Sequence, residues 1–244
     1  TRDIFAAAAP DAATAPTASI RIDADTTGVR ESDFPVLLVN ETNAYLVWQD
    51  VSTAANGGSD AMFARSVNGG ATWGAERIID DPANEVSSSF SPALAVDPRA
   101  AGTADDLVAI AWEDRRQGTQ IFASVSGDGG ATFAAALRVS SEAGDPVVGQ
   151  ISVPQIAAAG GGVLAVVYQN QPANGRPHAY LATSIDSGVT WTFTEARSDA
   201  GAGAALVPQV VASLVTNLPA AVMSWTDFRA GTQINGDIYV ALSH

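Results

Sequence analysis

Short runs of Val, Ile, Leu and Ala recur along all 244 residues, separated by turn-forming segments that carry Gly, Pro, Asp, Asn and Ser. No stretch sustains the apolar period of a helix, so the pattern predicts strands joined by tight turns and an all-β domain. The turns are related to one another. Ser66-Val-Asn-Gly-Gly-Ala-Thr-Trp73, Ser126-Gly-Asp-Gly-Gly-Ala-Thr-Phe133 and Ser184-Ile-Asp-Ser-Gly-Val-Thr-Trp191 are copies of one octapeptide, and Ser243 opens another. A phrase that returns at a nearly fixed interval marks a fold built from repeated units.

Each octapeptide lies between two apolar runs and is expected to be a hairpin turn. Asp128, Asp186 and Asn68 occupy one position, where the side chain accepts backbone N–H groups just ahead, as in an Asx turn. Gly70, Gly130 and Gly188 supply backbone angles that a Cβ resists. The closing aromatic (Trp73, Phe133 or Trp191) is suited to anchor the turn between neighbouring sheets.

Other landmarks keep this register. Prolines at Pro35, Pro92, Pro154 and Pro208 open successive units, 57, 62 and 54 residues apart. An aromatic with Asp or Asn two places on recurs as Trp48/Asp50, Trp112/Asp114, Tyr168/Asn170 and Trp225/Asp227. An arginine-bearing strand follows each turn, at Arg77, Arg138 and Arg197. The last unit lacks that strand, and Ser19-Ile-Arg21-Ile-Asp23 near the start of the chain matches Glu76-Arg77-Ile-Ile-Asp80. The register therefore predicts four units of four antiparallel strands, at about 33–80, 89–140, 151–199 and 205–244. Residues 18–24 are expected to pair with the C-terminal unit and close the ring, which removes exposed sheet edges.

The phrase Ser-x-Asp-x-Gly-x-Thr-Trp resembles the Asp-box, or bacterial neuraminidase repeat, of sialidase-like β-propellers. Trp112-Glu-Asp-Arg-Arg-Gln-Gly-Thr-Gln-Ile-Phe122, echoed at Trp225-Thr-Asp-Phe-Arg-Ala-Gly231, is similar to secreted bacterial members of that group. The resemblance covers residues 18–244 and implies a single four-bladed β-propeller in an extracellular or periplasmic setting. It speaks to fold more than activity, because such boxes occur in many propellers that are not sialidases.

Composition narrows the partners. The net charge is −14, from 26 acids against 12 cations, all of them arginine. An acidic chain with no basic stripe is a poor ligand for nucleic acid or an anionic membrane. No apolar stretch is long enough to span a bilayer. The absence of cysteine excludes a disulfide framework and thiol chemistry. Residues 1–17, an Ala/Pro tract without a core pattern, are expected to be an extended tether. A first residue other than Met suits a mature exported chain and equally a trimmed one.

In antiparallel blades the Asp-box turns gather on one face, so binding is sought on the other. There Asp50, Asp114, Asn170 and Asp227 should form a ring, with Arg116 and Arg229 two residues beyond their aspartates; these six are the candidate ligand-binding residues. Fourfold repetition favours a structural role for them, since one active site rarely needs four equivalent groups. Acidic loops lead into the first strands, and calcium takes six to eight oxygens from loops of that kind. Asp23 and Asp25 are the metal candidates, but the position of the bidentate Glu in an EF-hand loop falls on Phe34, so no cofactor is expected, with calcium as the alternative. Phe34, Phe90 and Phe228 are the loop aromatics to test for sugar stacking.

The expected function is non-catalytic: an extracellular propeller that binds a protein or glycan, or serves as a structural subunit of an extracellular assembly. The alternative is a sialidase-like glycoside hydrolase, with Asp114 and Asp227 as its carboxylates. A third expectation, prompted by the incomplete phrase at Ser243, is a module of a longer polypeptide.

Overall fold

Strands form where the apolar runs predict them, and no helix occurs among the described residues. The computed structural model of the chain describes residues 2–9, 13–24, 30–52, 58–80, 88–98, 105–115, 118–140, 152–170, 177–195, 204–215, 218–228 and 237–243. Two short strands, β1 (Phe5–Ala6) and β2 (Ile20–Arg21), pair in a sheet of their own. The first four-stranded sheet contains β3 (Arg30–Asn40), β4 (Asn43–Ser52), β5 (Ser59–Ser66) and β6 (Arg77–Ile78). The second contains β7 (Ser89–Asp97), β8 (Leu107–Asp114), β9 (Gln120–Ser126) and β10 (Leu137–Arg138). The third contains β11 (Ser152–Gly160), β12 (Val163–Asn170), β13 (His178–Ser184) and β14 (Thr192–Glu195). A three-stranded sheet of β15 (Ala205–Val215), β16 (Leu218–Asp227) and β17 (Asp237–Ser243) comes last. Within each sheet the strands are antiparallel neighbours in chain order, and β3, β7, β11 and β15 lie side by side from one sheet to the next.

Period-2 alternation gives each sheet one face for the sheet before it and one for the sheet after. Ile110, Trp112 and Phe122 of the second sheet pack on Tyr45, Val47 and Phe63 of the first. Tyr168 and Tyr180, stacked at 5.6 Å, pack on the small Ala95, Ala109 and Ala123 of the second. Met223 and Trp225 of the last sheet pack on Val167 and Leu181 of the third. A large aromatic thus always faces a preceding sheet. Each such side chain removes roughly 200 Å² from water, on the order of 5 kcal/mol at about 25 cal/mol per Å². Polar contacts add orientation: buried Asp106 accepts from Tyr45 Oη at 2.6 Å and Asn40 Nδ2 at 2.8 Å, joining the first two sheets.

The expected closure requires correction. Ile20–Arg21 does not complete the C-terminal sheet; its partner is Phe5–Ala6. The pairing repeats the third-to-fourth-strand geometry of the blades. Ile22 N donates to Ile4 O at 2.8 Å, as Val139 N does to Ile121 O and, at 2.9 Å, Ile79 N to Ala61 O. Thr17 N donates to Ala8 O at 2.8 Å, matching Gly74 N to Arg65 O at 2.8 Å and Ala134 N to Val125 O at 3.0 Å. Part of the tract expected to be a tether is therefore one strand of a two-stranded sheet arranged like the third and fourth strands of the other sheets. It presents Ile4 and Ile22 to Leu46, Trp48 and Met62 of the first sheet. Closing a short local hairpin costs less chain entropy than joining the two ends of the molecule.

The turn glycines have a second duty. A Cβ on Gly130 (φ 82°) would lie 2.5 Å from Phe63 Cζ of the preceding sheet, and one on Gly188 (φ 84°) 2.5 Å from Val125 Cγ2. Gly69 (φ 68°) has open space around it. Gly130→Ala is therefore expected to cost about 3 kcal/mol in denaturant unfolding, against about 1 kcal/mol for Gly69→Ala, where only the backbone conformation is strained.

Candidate functional site

The octapeptide turns share one face with the hairpins that join first and second strands. Gly69 N donates to Thr42 O at 2.7 Å, Gly129 N to Asp106 O at 3.0 Å and Ser187 N to Gly162 O at 2.9 Å. The side chains tie each turn internally. Ser126 Oγ donates to Asp128 Oδ1 at 2.7 Å and accepts from Gly130 N, also at 2.7 Å. Ser66 with Asn68 and Gly70, and Ser184 with Asp186 and Gly188, repeat that pattern at 2.8–2.9 Å. Desolvation pushes Asp128 up, but donors from Thr132 and Ser126 outweigh it and bring its carboxyl down to about 2. The hydroxyl and N–H of Thr190, with the Ser184 hydroxyl, bring Asp186 down to about 2 as well. Trp73, Phe133 and Trp191 pack inward; Phe133 meets Phe63 edge-on at 5.0 Å.

On the opposite face the four ring residues lie beneath the surface. Asp114 accepts from Trp112 Nε1 at 3.1 Å and Ser89 Oγ at 3.3 Å, and is fully buried. Asp227, also buried, accepts from Trp225 Nε1 at 3.1 Å. Asp50 accepts instead from Arg30 Nη1 at 3.1 Å and Ser32 Oγ at 3.3 Å, and this contact raises the Arg30 pKa. Asn170 is buried with neither amide atom meeting a protein partner. Its aromatic two places back is Tyr168, which has no indole N–H to offer a carboxylate. A neutral amide replaces the acid where that donor is missing, as the cost of burying an unpaired charge requires. Arg116, Arg229 and Asp25 lie outside the described residues. Asp23 is buried and engaged by Arg21 at 2.6 Å and by Ile4 N at 2.8 Å. Among the described residues no three His, Asp or Glu side chains gather as a metal-ligating group.

The prolines that marked the register shape this face. Phe34, Ser91 and Val207, each just before Pro35, Pro92 or Pro208, adopt left-handed φ values of 54°, 51° and 51°. The ladder shifts register at each site, forming a β-bulge. Non-glycine residues in this region cost about 1–3 kcal/mol each and persist where their surroundings impose them. Neighbouring sheets help impose them: Gln49 Oε1 accepts from Ser91 N at 3.1 Å and Gln169 Oε1 from Val207 N at 3.4 Å.

The β11 ladder also shifts register, between Ser152 and Gln155. Between the bulges of β3, β7 and β11 opens a pocket of about 370 Å³, lined by Phe34, Pro35, Ser91, Pro92, Gln155 and Ile156 among others. Its walls are mostly apolar, and the Phe34 ring is exposed. Beside it the position of Gln49 and Gln169 is taken in the second sheet by Glu113. Burial raises the Glu113 pKa, opposed by Arg115, whose Nε donates to Glu113 Oε1 at 3.1 Å. The Arg115 guanidinium covers the Phe90 ring at 4.2 Å. Sequence inspection singled out Phe34 and Phe90 but missed Gln155, Glu113 and Arg115. Glu standing where two other repeats have Gln was the available signal for Glu113.

Comparison with solved structures places this fold among β-propellers. A Hadza microbial sialidase matches 82% of the chain with 18% identity and a TM-score of 0.55. The GH93 α-L-arabinofuranosidase of Fusarium graminearum matches 87% with 18% identity and a TM-score of 0.58. A Trypanosoma rangeli sialidase mutant displaying trans-sialidase activity matches the whole chain with 13% identity and a TM-score of 0.51. At these identities the likeness establishes a sialidase-like β-propeller fold and nothing finer. The chain spans 44%, 62% and 50% of those three proteins. No protein-family model and no curated protein matches the sequence.

Two outcomes follow for stability. Asp114→Ala is expected to cost about 2 kcal/mol by chemical denaturation, since it strands the Trp112 N–H while the Ser89 hydroxyl keeps its 2.6 Å bond to Asp80, whereas Asn170→Ala costs under about 1 kcal/mol. The depressed Asp128 and Asp186 values fix a second result. Their contribution is complete above the unfolded carboxylate pKa of 3.8 and declines as pH falls towards about 2. Acid titration of Asp128→Asn/Asp186→Asn should show a flatter stability curve over that window, with the fold retained because Asn68 already serves the first turn.

Proposed function

We propose that the chain is a non-catalytic, extracellular glycan-binding β-propeller whose ligand occupies the pocket between the bulges of β3, β7 and β11. The pocket carries this reading. Phe34, Pro35, Pro92 and Ile156 offer a surface suited to the C–H face of a sugar ring, while Ser91 and Gln155 supply hydrogen-bonding partners for its hydroxyls. The net charge of −14 favours a neutral sugar over an anionic one. Fold neighbours named as sialidase and arabinofuranosidase use the same scaffold on sugars, which supports the choice of ligand class.

The same neighbours favour a second reading, a glycoside hydrolase. Burial of Asp114 and Asp227, with carboxylate oxygens held by indole N–H groups, speaks against those two as its acid and base. A carboxylate pair must reach both a glycosidic oxygen and the anomeric carbon or a water beside it.

A neutral-glycan array followed by calorimetry on the best binder tests the proposal. Phe34→Ala is expected to weaken binding at least about tenfold, or ~1.4 kcal/mol, and Asp128→Asn on the other face to leave it unchanged. An empty array together with a protein captured in pull-down would transfer the pocket to a protein partner. Turnover of a fluorogenic arabinoside or sialoside that is lost in a folded Asp114→Asn variant would establish hydrolysis instead.

A further inference from the structure

We propose that a second pocket, between the outer strands of the second sheet and the third octapeptide turn, binds a small organic cation that carries one aromatic ring. The pocket measures about 370 Å³, and Leu107, Ala123, Val125, Leu137, Gly188 and Val189 are among its walls. It shares no residue with the Phe34 pocket. Leu137 and Val189 are exposed, so it opens to solvent.

The junction between the first and second sheets shows what this space accepts, because the repeat places larger side chains at the same positions there. Trp48 faces Met62 and Trp112 faces Phe122 across their ladders, so Phe63 is the counterpart of Ala123, and Arg65 that of Val125. The outer ladders pair Phe63 with Arg77 and Ala123 with Leu137, which makes Arg77 the counterpart of Leu137. In the first junction the buried Phe63 ring presses on Gly130 of the second turn, where a Cβ would lie 2.5 Å from its Cζ. Arg65 Nη1 donates to Gly129 O at 2.6 Å, and Arg77 Nη1 donates to Ala131 O. One aromatic ring and two guanidinium groups therefore fill that junction and hold the turn that follows.

At the next junction alanine, valine and leucine stand in place of all three. Ser187 and Val189 occupy the positions of Gly129 and Ala131 in the octapeptide, and neither Val125 nor Leu137 can donate to their carbonyls. The pocket thus offers apolar walls to a ring and turn carbonyls to an N–H donor. Burying a ring there removes apolar surface of both partners from water, and a cationic donor forms the stronger, charge-assisted kind of hydrogen bond. The net charge of −14 draws cations towards the chain and repels anions. A volume of about 370 Å³ is at the small end of ligand pockets, enough for one ring and a short chain.

Phenethylammonium is the probe, titrated into the isotopically labelled chain and followed through its amide NMR signals. Saturable shifts at Ala123, Val125, Leu137 and Gly188 are expected, with a dissociation constant on the order of 1 mM. Phenylethanol keeps the ring without the charge and should bind at least about fivefold more weakly. Butylammonium lacks the ring and should leave those signals in place. Ala123→Phe supplies a ring from within the chain and is expected to abolish binding while raising the midpoint of thermal unfolding. Val125→Arg supplies the donor and should erase the advantage of phenethylammonium over phenylethanol, with circular dichroism confirming the fold. The proposal is overturned by the absence of saturable shifts, by binding that persists in a folded Ala123→Phe chain, or by phenylethanol or butylammonium binding as tightly as the probe. If Ala123→Phe does not fold, the three-probe comparison on the unaltered chain decides alone. Glycan binding at the Phe34 pocket should be unchanged in Ala123→Phe, so failure at either pocket is read separately.

Discussion

Sheet-to-sheet packing through one aromatic per repeat is the contact on which the rest of this molecule depends. Trp48, Trp112, Tyr168 and Trp225 each turn towards the preceding sheet, where aliphatic or small side chains, joined for Trp112 by Tyr45 and Phe63, receive them. No sheet is buried on both faces by its own strands, so each is stable only between neighbours. The N-terminal hairpin fits that logic. Trp48 needs a preceding sheet, and Ile4 and Ile22 supply its apolar surface.

The two faces divide the labour between rigidity and recognition. On one, the octapeptide turns satisfy their own backbone groups and press glycine backbones against the preceding sheet. On the other, the left-handed bulges at Phe34 and Ser91 shape the pocket. That geometry is costly locally, and glutamine side chains from adjacent sheets offset it by accepting the exposed N–H groups. The recognition surface thus inherits its shape from inter-sheet contacts and not from loops alone.

Much of the fold was legible from the chain because its signals are local. The Ser-x-Asp/Asn-x-Gly phrase closes its hydrogen bonds within a few residues, so Asp128 and Thr132 meet in any structure that forms the turn. The period of the prolines and aromatics located all four main sheets. The N-terminal hairpin was overlooked because its phrase is degraded: Asp11 keeps its place, but Ala9, Ala13 and Pro16 stand where the other copies have Ser, Gly and an aromatic. A strand match at Arg21 then pointed to the wrong partner, since strand propensity carries no information about which edge a strand will join.

Of the candidate site, the sequence located the ring residues but not their accessibility. A carboxylate beside a tryptophan can face solvent or accept the indole N–H, and only packing of the neighbouring sheet decided that Asp114 and Asp227 do the latter. The pocket depends on the bulges at Phe34 and Ser91 meeting Gln155 of the third repeat, and that meeting has no local signature. By itself, then, the sequence determined the turns, the repeat period and the all-β class, because each rests on contacts between residues near in the chain. Tertiary structure decided the pairing of the N-terminal strand, the burial of the aspartates and the shape of the pocket, because those rest on contacts between sheets.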